Sequence, residues 1–207
     1  MPVFKDDVIV IKSINYGEAD KILTVVGKNF GKFPLIAKGI RKIESKNRGN
    51  IQTLSASKIS FYRNQGMGVL MESKNIFSPD YSISNLKGIE RVLTLLNKCV
   101  EEGPESCEYY PKLYSVLKHD FREDYVNKFR LVFLKSMGLM PYRSCSKCGS
   151  NDCIEYLDME SFEIFCEKCY LEEKQSEICK FVKTCDINYV CKNFTNCIDL
   201  YIQKVLY

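Results

Sequence analysis

Four cysteines in this chain have the spacing of a metal site. Cys145 and Cys148, followed by Cys166 and Cys169, form the pattern C-x2-C-x17-C-x2-C. This spacing is typical of a zinc ribbon, in which a β-hairpin brings two Cys-x-x-Cys pairs around one tetrahedral ion. The segment between the pairs, IEYLDMESFEIFC, alternates apolar and polar residues as the two arms of a hairpin do. We therefore predict one structural Zn²⁺ ion bound by these four thiolates.

Other uses of the cysteines fit the sequence less well. A closed set of four thiolates leaves no ligand position for a reacting water, which favours a structural ion over a catalytic one. Free thiols or a redox pair are the alternative, but a thioredoxin-like site needs one Cys-x-x-Cys in a βαβ setting. A zinc deaminase needs an upstream H-x-E motif, and the only histidine, His119, lies in KHDF. We interpret Cys153 as a cysteine that does not bind the metal. The alternative is that it replaces one of the four ligands.

A basic segment, KGIRKIESKNRGN (residues 38–50), is the second chemically distinctive stretch. Its cations surround a single acid, Glu44: Lys38, Arg41, Lys42, Lys46 and Arg48. Residues 1–80 carry 13 Lys and Arg against 7 Asp and Glu, whereas the remainder carries 17 against 19. Such a loop can neutralise phosphates along a nucleic-acid backbone. We expect residues 39–50 to be unstructured, with Gly39 and Gly49 keeping the loop mobile.

Aromatic residues near this segment could supply faces for base stacking, as small barrels that bind single strands do. The candidates are Tyr16, Phe30, Phe33, Phe61 and Tyr62. Two plainer interpretations stay open at this point. A run of charge in a loop can be ordinary solvated surface, and aromatic residues in a barrel can be core.

Enzymatic chemistry is not indicated. A Ser-His-Asp set would require the single His119, and no phosphate-binding G-x-x-x-x-G-K-[ST] motif is present. Adjacent acids occur at several places, but neighbouring side chains on a strand or helix point apart, and we expect them to face solvent. Examples are Asp6-Asp7, Glu101-Glu102 and Glu172-Glu173. The sequence therefore predicts a protein that is not an enzyme.

The elements that would position these residues change in type after Ser78-Pro79-Asp80. Before this point, short β-branched or alternating segments separated by turn signals predict a small closed barrel; they span 4–14, 21–27, 32–39, 51–62 and 67–73. After it, a period near 3.6 predicts helices, starting with one capped by Ser84 and ended by Gly103-Pro104. The others cover 109–117, 123–137 (ended by Gly138), 172–184 and 189–206.

Two helical stripes are predicted to face a core. One comprises Leu86, Ile89, Val92, Leu93, Leu96 and Val100, and the other comprises Val126, Phe129, Val132, Phe133 and Met137. The composition, 45% hydrophobic and 27% charged, is that of a globular protein. No apolar run of about 18 residues exists, and acidic residues near the N-terminus do not fit a signal peptide, so a cytoplasmic protein without a membrane segment is expected.

Several segments in the same order resemble the bacterial recombination mediator family RecO. They are INYGEADKILTVVGKNFGKFPLIAKGIRKIESKNRG, FRLVFLKSMGLMPYRSCSKCG and FCEKC. The resemblance implies an α+β fold of two domains: a five-stranded OB-fold β-barrel (1–78), then an α-helical domain (79–207) with an inserted zinc ribbon (141–171). The family's G-x-R segment corresponds to Gly39, Ile40 and Arg41, and its zinc ligands correspond to the four cysteines.

The resemblance also implies a function without turnover. RecO-like proteins bind single- and double-stranded DNA and anneal complementary strands. With RecR, they help to load RecA onto strands coated by single-strand binding protein, whose acidic tail they bind on the helical domain. Basic candidates for that contact are Lys128, Arg130 and Lys135. The implied place is the cytoplasm, at the nucleoid. An RNA-binding or translation-associated OB-fold protein with a structural ribbon is the alternative.

Overall fold

The computed structural model describes residues 2–63, 66–82, 85–139, 144–152, 154–158, 161, 163–173, 181–183 and 195–206. The chain divides into two compact units, Met1–Arg122 and Glu123–Tyr207, and each unit is described by itself below. The domain boundary placed after residue 78 from the sequence stays a prediction.

The first unit is built on a closed five-stranded barrel. Its strands are β1 (Val3–Tyr16), β2 (Asp20–Gly27), β3 (Gly31–Ala37), β4 (Ala56–Tyr62) and β5 (Gly68–Phe77). They follow the order β1-β2-β3-β5-β4. The β3–β5 pairing is parallel, and antiparallel pairing of β1 with β4 closes the barrel. The predicted OB-like barrel is confirmed.

Strand β1 is buried on both faces over its middle, which explains the apolar run VIVI. Val8 and Val10 point into the barrel core. Ile9 and Ile11 are also buried, and β1 contacts both helices that follow the barrel. The register shifts between Val10 and Lys12, and this bulge changes which residues of β1 face inward.

The described residues of the first unit also form two helices and a short 3₁₀ helix. They are α1 (Leu86–Cys99), the 3₁₀ helix (Pro104–Glu108) and α2 (Tyr109–Lys118). The proposed cap Ser84 lies outside the described residues, and Asn85 occupies the N-cap position. Leu86 was assigned wrongly to the inner face of α1, since its side chain is half exposed. His119 ends α2 as an exposed C-cap residue.

A buried lysine joins the barrel to α1. The Lys32 ammonium donates to the carbonyl oxygens of Val100 at 2.6 Å and Leu96 at 3.2 Å. These carbonyls belong to the end of the helix, where a cation also interacts favourably with the helix dipole. Burial lowers the pKa of Lys32, and the nearby Glu102 opposes that change. Nothing in the sequence distinguishes Lys32 from the exposed lysines near it along the chain.

The described residues of the second unit form three helices and a small sheet. Its elements are α3 (Glu123–Ser136), β6 (Ile154–Asp158), β7 (Ile164–Cys166), α4 (Glu167–Glu173), β8 (Phe181–Lys183) and α5 (Thr195–Leu206). The helix predicted over 172–184 is wrong at its C-terminal end, because β8 pairs there with β6. Residues 189–194 of the last predicted helix lie outside the described residues, as does Cys153.

The inner face of α3 differs from the predicted stripe. Val126, Phe129 and Phe133 are buried as expected, but Val132 and Met137 are exposed. Polar residues occupy part of the buried face instead. Asn127 donates to Thr195 Oγ1, and the Arg130 guanidinium pairs with the Asp199 carboxylate of α5. Gly138 ends the region with φ +70°, as predicted.

Among the described residues, no helix is both long enough and apolar enough to span a membrane.

Candidate metal centre and nucleic-acid interface

The four cysteines predicted to bind zinc lie together. The Sγ atoms of Cys145, Cys148, Cys166 and Cys169 are all within 4.8 Å of one another, and the Cys148–Cys166 separation is 3.7 Å. Four thiolates bound tetrahedrally to Zn²⁺ at about 2.3 Å would stand about 3.8 Å apart. The cluster can therefore hold a metal ion such as zinc.

Backbone hydrogen bonds shape the first half of this site. The Gly149 N–H donates to Cys145 O at 2.8 Å, which makes the tight turn between the first two ligands. Gly149 adopts φ +72°, a conformation that favours glycine. The Ser146 N–H donates to Ile164 O of β7, and β7 ends at the third ligand. The fourth ligand follows in α4, so the hairpin positions both pairs.

The thiols are held in unequal electrostatic environments. Burial raises the pKa of Cys145, but hydrogen bonds from the backbone of Cys148, Cys166 and Lys147 outweigh it and lower the pKa overall. Burial and the neighbouring thiols together raise the pKa of Cys169. Metal ligation requires the thiolate form of every cysteine, so filling this site must release protons.

Among the residues that the structure describes, little apolar packing surrounds the four cysteines. The buried members of this cluster are three of the cysteines and Phe165, with the rings of Tyr156 and Tyr170 stacked 3.8 Å apart against them. The ion pair between Lys147 and Glu172 is on the surface, where such a pair contributes little. A bound cation would therefore add cohesion to the four cysteines.

The five cations predicted to bind nucleic acid lie on one surface loop between β3 and β4, and all of their side chains are exposed. Successive turns order this basic loop (residues 38–50), with N–H groups of Lys42, Ser45 and Arg48 each donating to the carbonyl three residues earlier. Ile40 is buried in the barrel core. The expectation of an unstructured loop is therefore wrong.

Hydrogen bonds hold the basic loop to its neighbours. The Gly39 N–H donates to Asp20 Oδ1 at 2.7 Å, and the Arg41 guanidinium donates to Gly17 O in the β1–β2 turn at 3.2 Å. On the other side, the amides of Asn47 and Asn50 donate to carbonyls of β5. The loop thus presents its charges from a fixed backbone.

Most of the proposed stacking aromatics are unsuitable for that role. Phe33 and Phe61 are fully buried and pack against each other with ring centroids 5.1 Å apart. Phe30 packs against the same core. Tyr16 is 54% exposed at the end of β1, and Tyr62 is half-buried. The three phenylalanines therefore belong to the barrel core, in agreement with the plainer interpretation.

A cleft of about 590 Å³ opens between the basic loop and the β1–β2 hairpin. Its lining is Ser13, Lys21, Ile43, Ser45, Arg48, Gly49, Ile51, Gln52 and Thr53. Arg48 was among the predicted site residues, but Lys21 and Ile43 were not. Lys21 could have been predicted as a site residue because it follows the turn that contacts the basic loop. No feature of the sequence predicts such a role for an isoleucine in a loop.

Two charged residues have structural roles that the sequence did not reveal. Asp6 was expected to face solvent, yet its carboxylate is buried and accepts hydrogen bonds from the N–H groups of Asn29 and Phe30. It therefore holds the β2–β3 turn. Arg130, a candidate for binding an acidic tail, is only 3% exposed and paired with Asp199. Lys128 and Lys135 remain exposed on α3.

Comparisons with known proteins agree with this architecture. Residues 1–78 match the family model described as Recombination protein O N terminal. The chain is 30% identical over 186 residues to the DNA repair protein RecO of Acetivibrio thermocellus, covering 84% of this chain and 73% of that protein. The corresponding proteins of Desulforamulus reducens and Syntrophomonas wolfei are 30% and 27% identical, with 84% and 78% of this chain covered and 72% and 68% of theirs.

Proposed function

This chain belongs to the RecO family of DNA repair proteins, and from that premise we propose that it is a non-enzymatic DNA-binding recombination mediator. It binds single- and double-stranded DNA through the barrel unit and anneals complementary strands. Its five loop cations, Lys38, Arg41, Lys42, Lys46 and Arg48, contact the phosphate backbone. This activity takes place in the cytoplasm, at the nucleoid.

One observation carries the proposal of DNA binding. All five cations of the basic loop are exposed on a backbone held at both ends by the barrel. Cations presented this way can bind a phosphate chain without first ordering a flexible segment, which would cost conformational entropy. The single acid among them, Glu44, does not cancel their charge.

The metal in this proposal is one Zn²⁺ ion with a structural role. Cys145, Cys148, Cys166 and Cys169 supply four thiolates, so no position is left for a reacting water. Zinc suits this site because the 3.7 Å separation of the Cys148 and Cys166 sulfur atoms fits its tetrahedral thiolate geometry. The ion would hold the hairpin in the second unit.

The protein partners follow from the family alone. The mediator works with RecR to load RecA onto strands coated by single-strand binding protein, and it binds the acidic tail of that protein. Lys128 and Lys135 are the exposed cations of α3 to test for the tail contact. Arg130 is left out, because its charge already pairs with Asp199.

Charge reversal on the basic loop tests DNA binding. In the triple variant Arg41→Glu, Lys42→Glu, Arg48→Glu, we expect weaker binding to oligonucleotides. We also expect a salt dependence of affinity that falls by roughly one log-log unit for each phosphate that the loop no longer neutralises. The matched control is Lys87→Glu, Lys98→Glu, Lys118→Glu, which changes the net charge equally at exposed positions on α1 and α2.

Equal loss of affinity in both triple variants would mean that net charge, and not the basic loop, governs binding. Unchanged affinity in the loop variant would remove the loop from the DNA site. Matched RNA strands complete the experiment, since a preference for RNA would favour the translation-associated alternative.

A further inference from the structure

We propose that the cleft beside the basic loop is a subsite for one unpaired nucleotide of single-stranded DNA. This inference rests on the proposed DNA binding and adds to it a place where a base, and not only its phosphate, is contacted. In this subsite, Lys21 and Arg48 hold the phosphate, and Ile43 packs against the face of the base.

The position of the cleft follows from the strand register. Ser13 lies opposite Leu23, and Asn15 lies opposite Lys21, so these four side chains share one face of the hairpin. Leu23 belongs to the barrel core, which makes that face the interior one. Lys21 therefore continues the interior face past the end of the core, and the cleft is the mouth of the barrel, with Ile51 as its floor.

The polar groups of the cleft suit a phosphate. Lys21 and Arg48 line it from opposite elements, and neither side chain has a carboxylate partner within the described part of the chain. Ser13, Ser45 and Thr53 add hydroxyl groups to the lining. Two cations with neighbouring hydroxyl donors form a surface that attracts an anion.

The apolar group of the cleft suits a base. Ile43 is 87% exposed, the most exposed large hydrophobic side chain among the described residues. It lies in the basic loop between Lys42 and Lys46, yet Ile40, three residues earlier, is buried. Leaving an isoleucine in water this way has a hydrophobic cost, which contact with the face of a base would recover. In other DNA-binding proteins, apolar side chains that include isoleucine insert between neighbouring bases and unstack them.

The size and accessibility of the cleft restrict the ligand. A volume of about 590 Å³ lies in the range of small-molecule sites, roughly 300–1,000 Å³, and is large enough for one nucleotide. A base inside a duplex has both faces covered by its stacked neighbours, so contact between Ile43 and the face of a base requires a base that has left the stack. This subsite would favour single strands over duplexes, whereas the loop cations bind both.

The test compares a short oligothymidine with an abasic strand of the same length, which keeps the phosphates and removes the bases. For Ile43→Ser we expect about fivefold weaker binding to oligothymidine, the lower end of the range for losing an aromatic ring that stacks on a base, because isoleucine contacts the base without a ring. We expect no change with the abasic strand or with duplex DNA. Lys21→Met should weaken binding to both single strands.

The matched controls are Ile76→Ser and Lys74→Met, two exposed residues of β5 that do not line the cleft. Ile76→Ser should leave the preference for oligothymidine over the abasic strand unchanged, and Lys74→Met should leave the affinity for both single strands unchanged. The inference is overturned if Ile43→Ser leaves oligothymidine binding unchanged, or weakens binding to both single strands equally. Failure of the proposed function itself looks different, because the wild-type protein would then bind no DNA strand.

Discussion

The barrel of the first unit and the cysteine hairpin of the second are stabilised by different chemistry. The barrel encloses a continuous hydrocarbon core that includes Phe33, Phe61 and Leu35. The buried cluster around the cysteines consists of Cys145, Cys166, Cys169 and a single phenylalanine, and the hairpin strands add only Leu157 and Ile164 among their described residues. A hydrophobic core stabilises by burying apolar area, whereas a thiolate cluster does so only when a cation binds. The barrel should thus tolerate loss of the metal, and the hairpin should not.

The largest expected effect comes from removing two ligands. In Cys166→Ser, Cys169→Ser we expect loss of the metal and of protected structure across 144–173, because a structural zinc site contributes about 10–16 kcal/mol of apparent binding free energy. Elemental analysis and hydrogen exchange measure the two outcomes. Cys197→Ser, a cysteine outside the cluster, is the control. Retained metal, or unchanged protection of the hairpin, would contradict the proposed role of the ligands.

A smaller effect is expected from the barrel core. Phe61→Ala should lower the free energy of unfolding of the first unit by about 3–5 kcal/mol, because it removes a fully buried ring from a packed cluster. Urea unfolding followed by circular dichroism measures this change. Tyr62→Ala, at the next and half-buried position, should cost less. Loss of metal in Phe61→Ala would show that the two regions are not independently stabilised.

The smallest effect is expected where the barrel meets α1. Lys32→Met should lower stability by about 1–3 kcal/mol, since several helix-terminal carbonyls lose their hydrogen-bond donor. Because burial lowers the pKa of Lys32, the folded protein binds fewer protons than the unfolded chain just below the ordinary lysine pKa. Stability from this group therefore rises as pH increases toward that value.

Urea unfolding of wild type and Lys32→Met across alkaline pH checks the sign. The free energy of unfolding of the wild type should increase relative to that of the variant as pH rises. If the difference between the two free energies of unfolding becomes smaller with rising pH, the Lys32 charge stabilises the fold more than its burial destabilises it.

Sequence patterns predicted the elements whose signals are local. The five strands of the barrel have alternating or β-branched residues between turns. The spacing of the cysteines is enough to predict that four ligands lie together. The basic loop was identified from its composition, but its order was not. That order depends on hydrogen bonds from Asn47 and Asn50 to β5 and on burial of Ile40, which are contacts between distant segments.

The errors share one physical cause: pairing across the chain overrides local pattern. The helix predicted over 172–184 includes Phe181–Lys183, but these residues form a strand that pairs with β6. Asp6 and Arg130 resemble surface charges in the sequence, yet each is buried with partners far away along the chain, at Asn29 and Asp199. A charged residue is buried only where tertiary structure supplies its partners, and those partners cannot be identified from the spacing of residues alone.

The central claim is that the basic loop binds DNA while the cysteine hairpin serves stability. The most direct test measures strand annealing and oligonucleotide affinity for three proteins: the wild type, Arg41→Glu/Lys42→Glu/Arg48→Glu, and Cys166→Ser/Cys169→Ser. We predict that the loop variant keeps its metal and loses affinity, whereas the cysteine variant loses its metal and keeps most of its affinity. Lost affinity in a cysteine variant whose barrel stays folded, or retained affinity in the loop variant, would contradict the account.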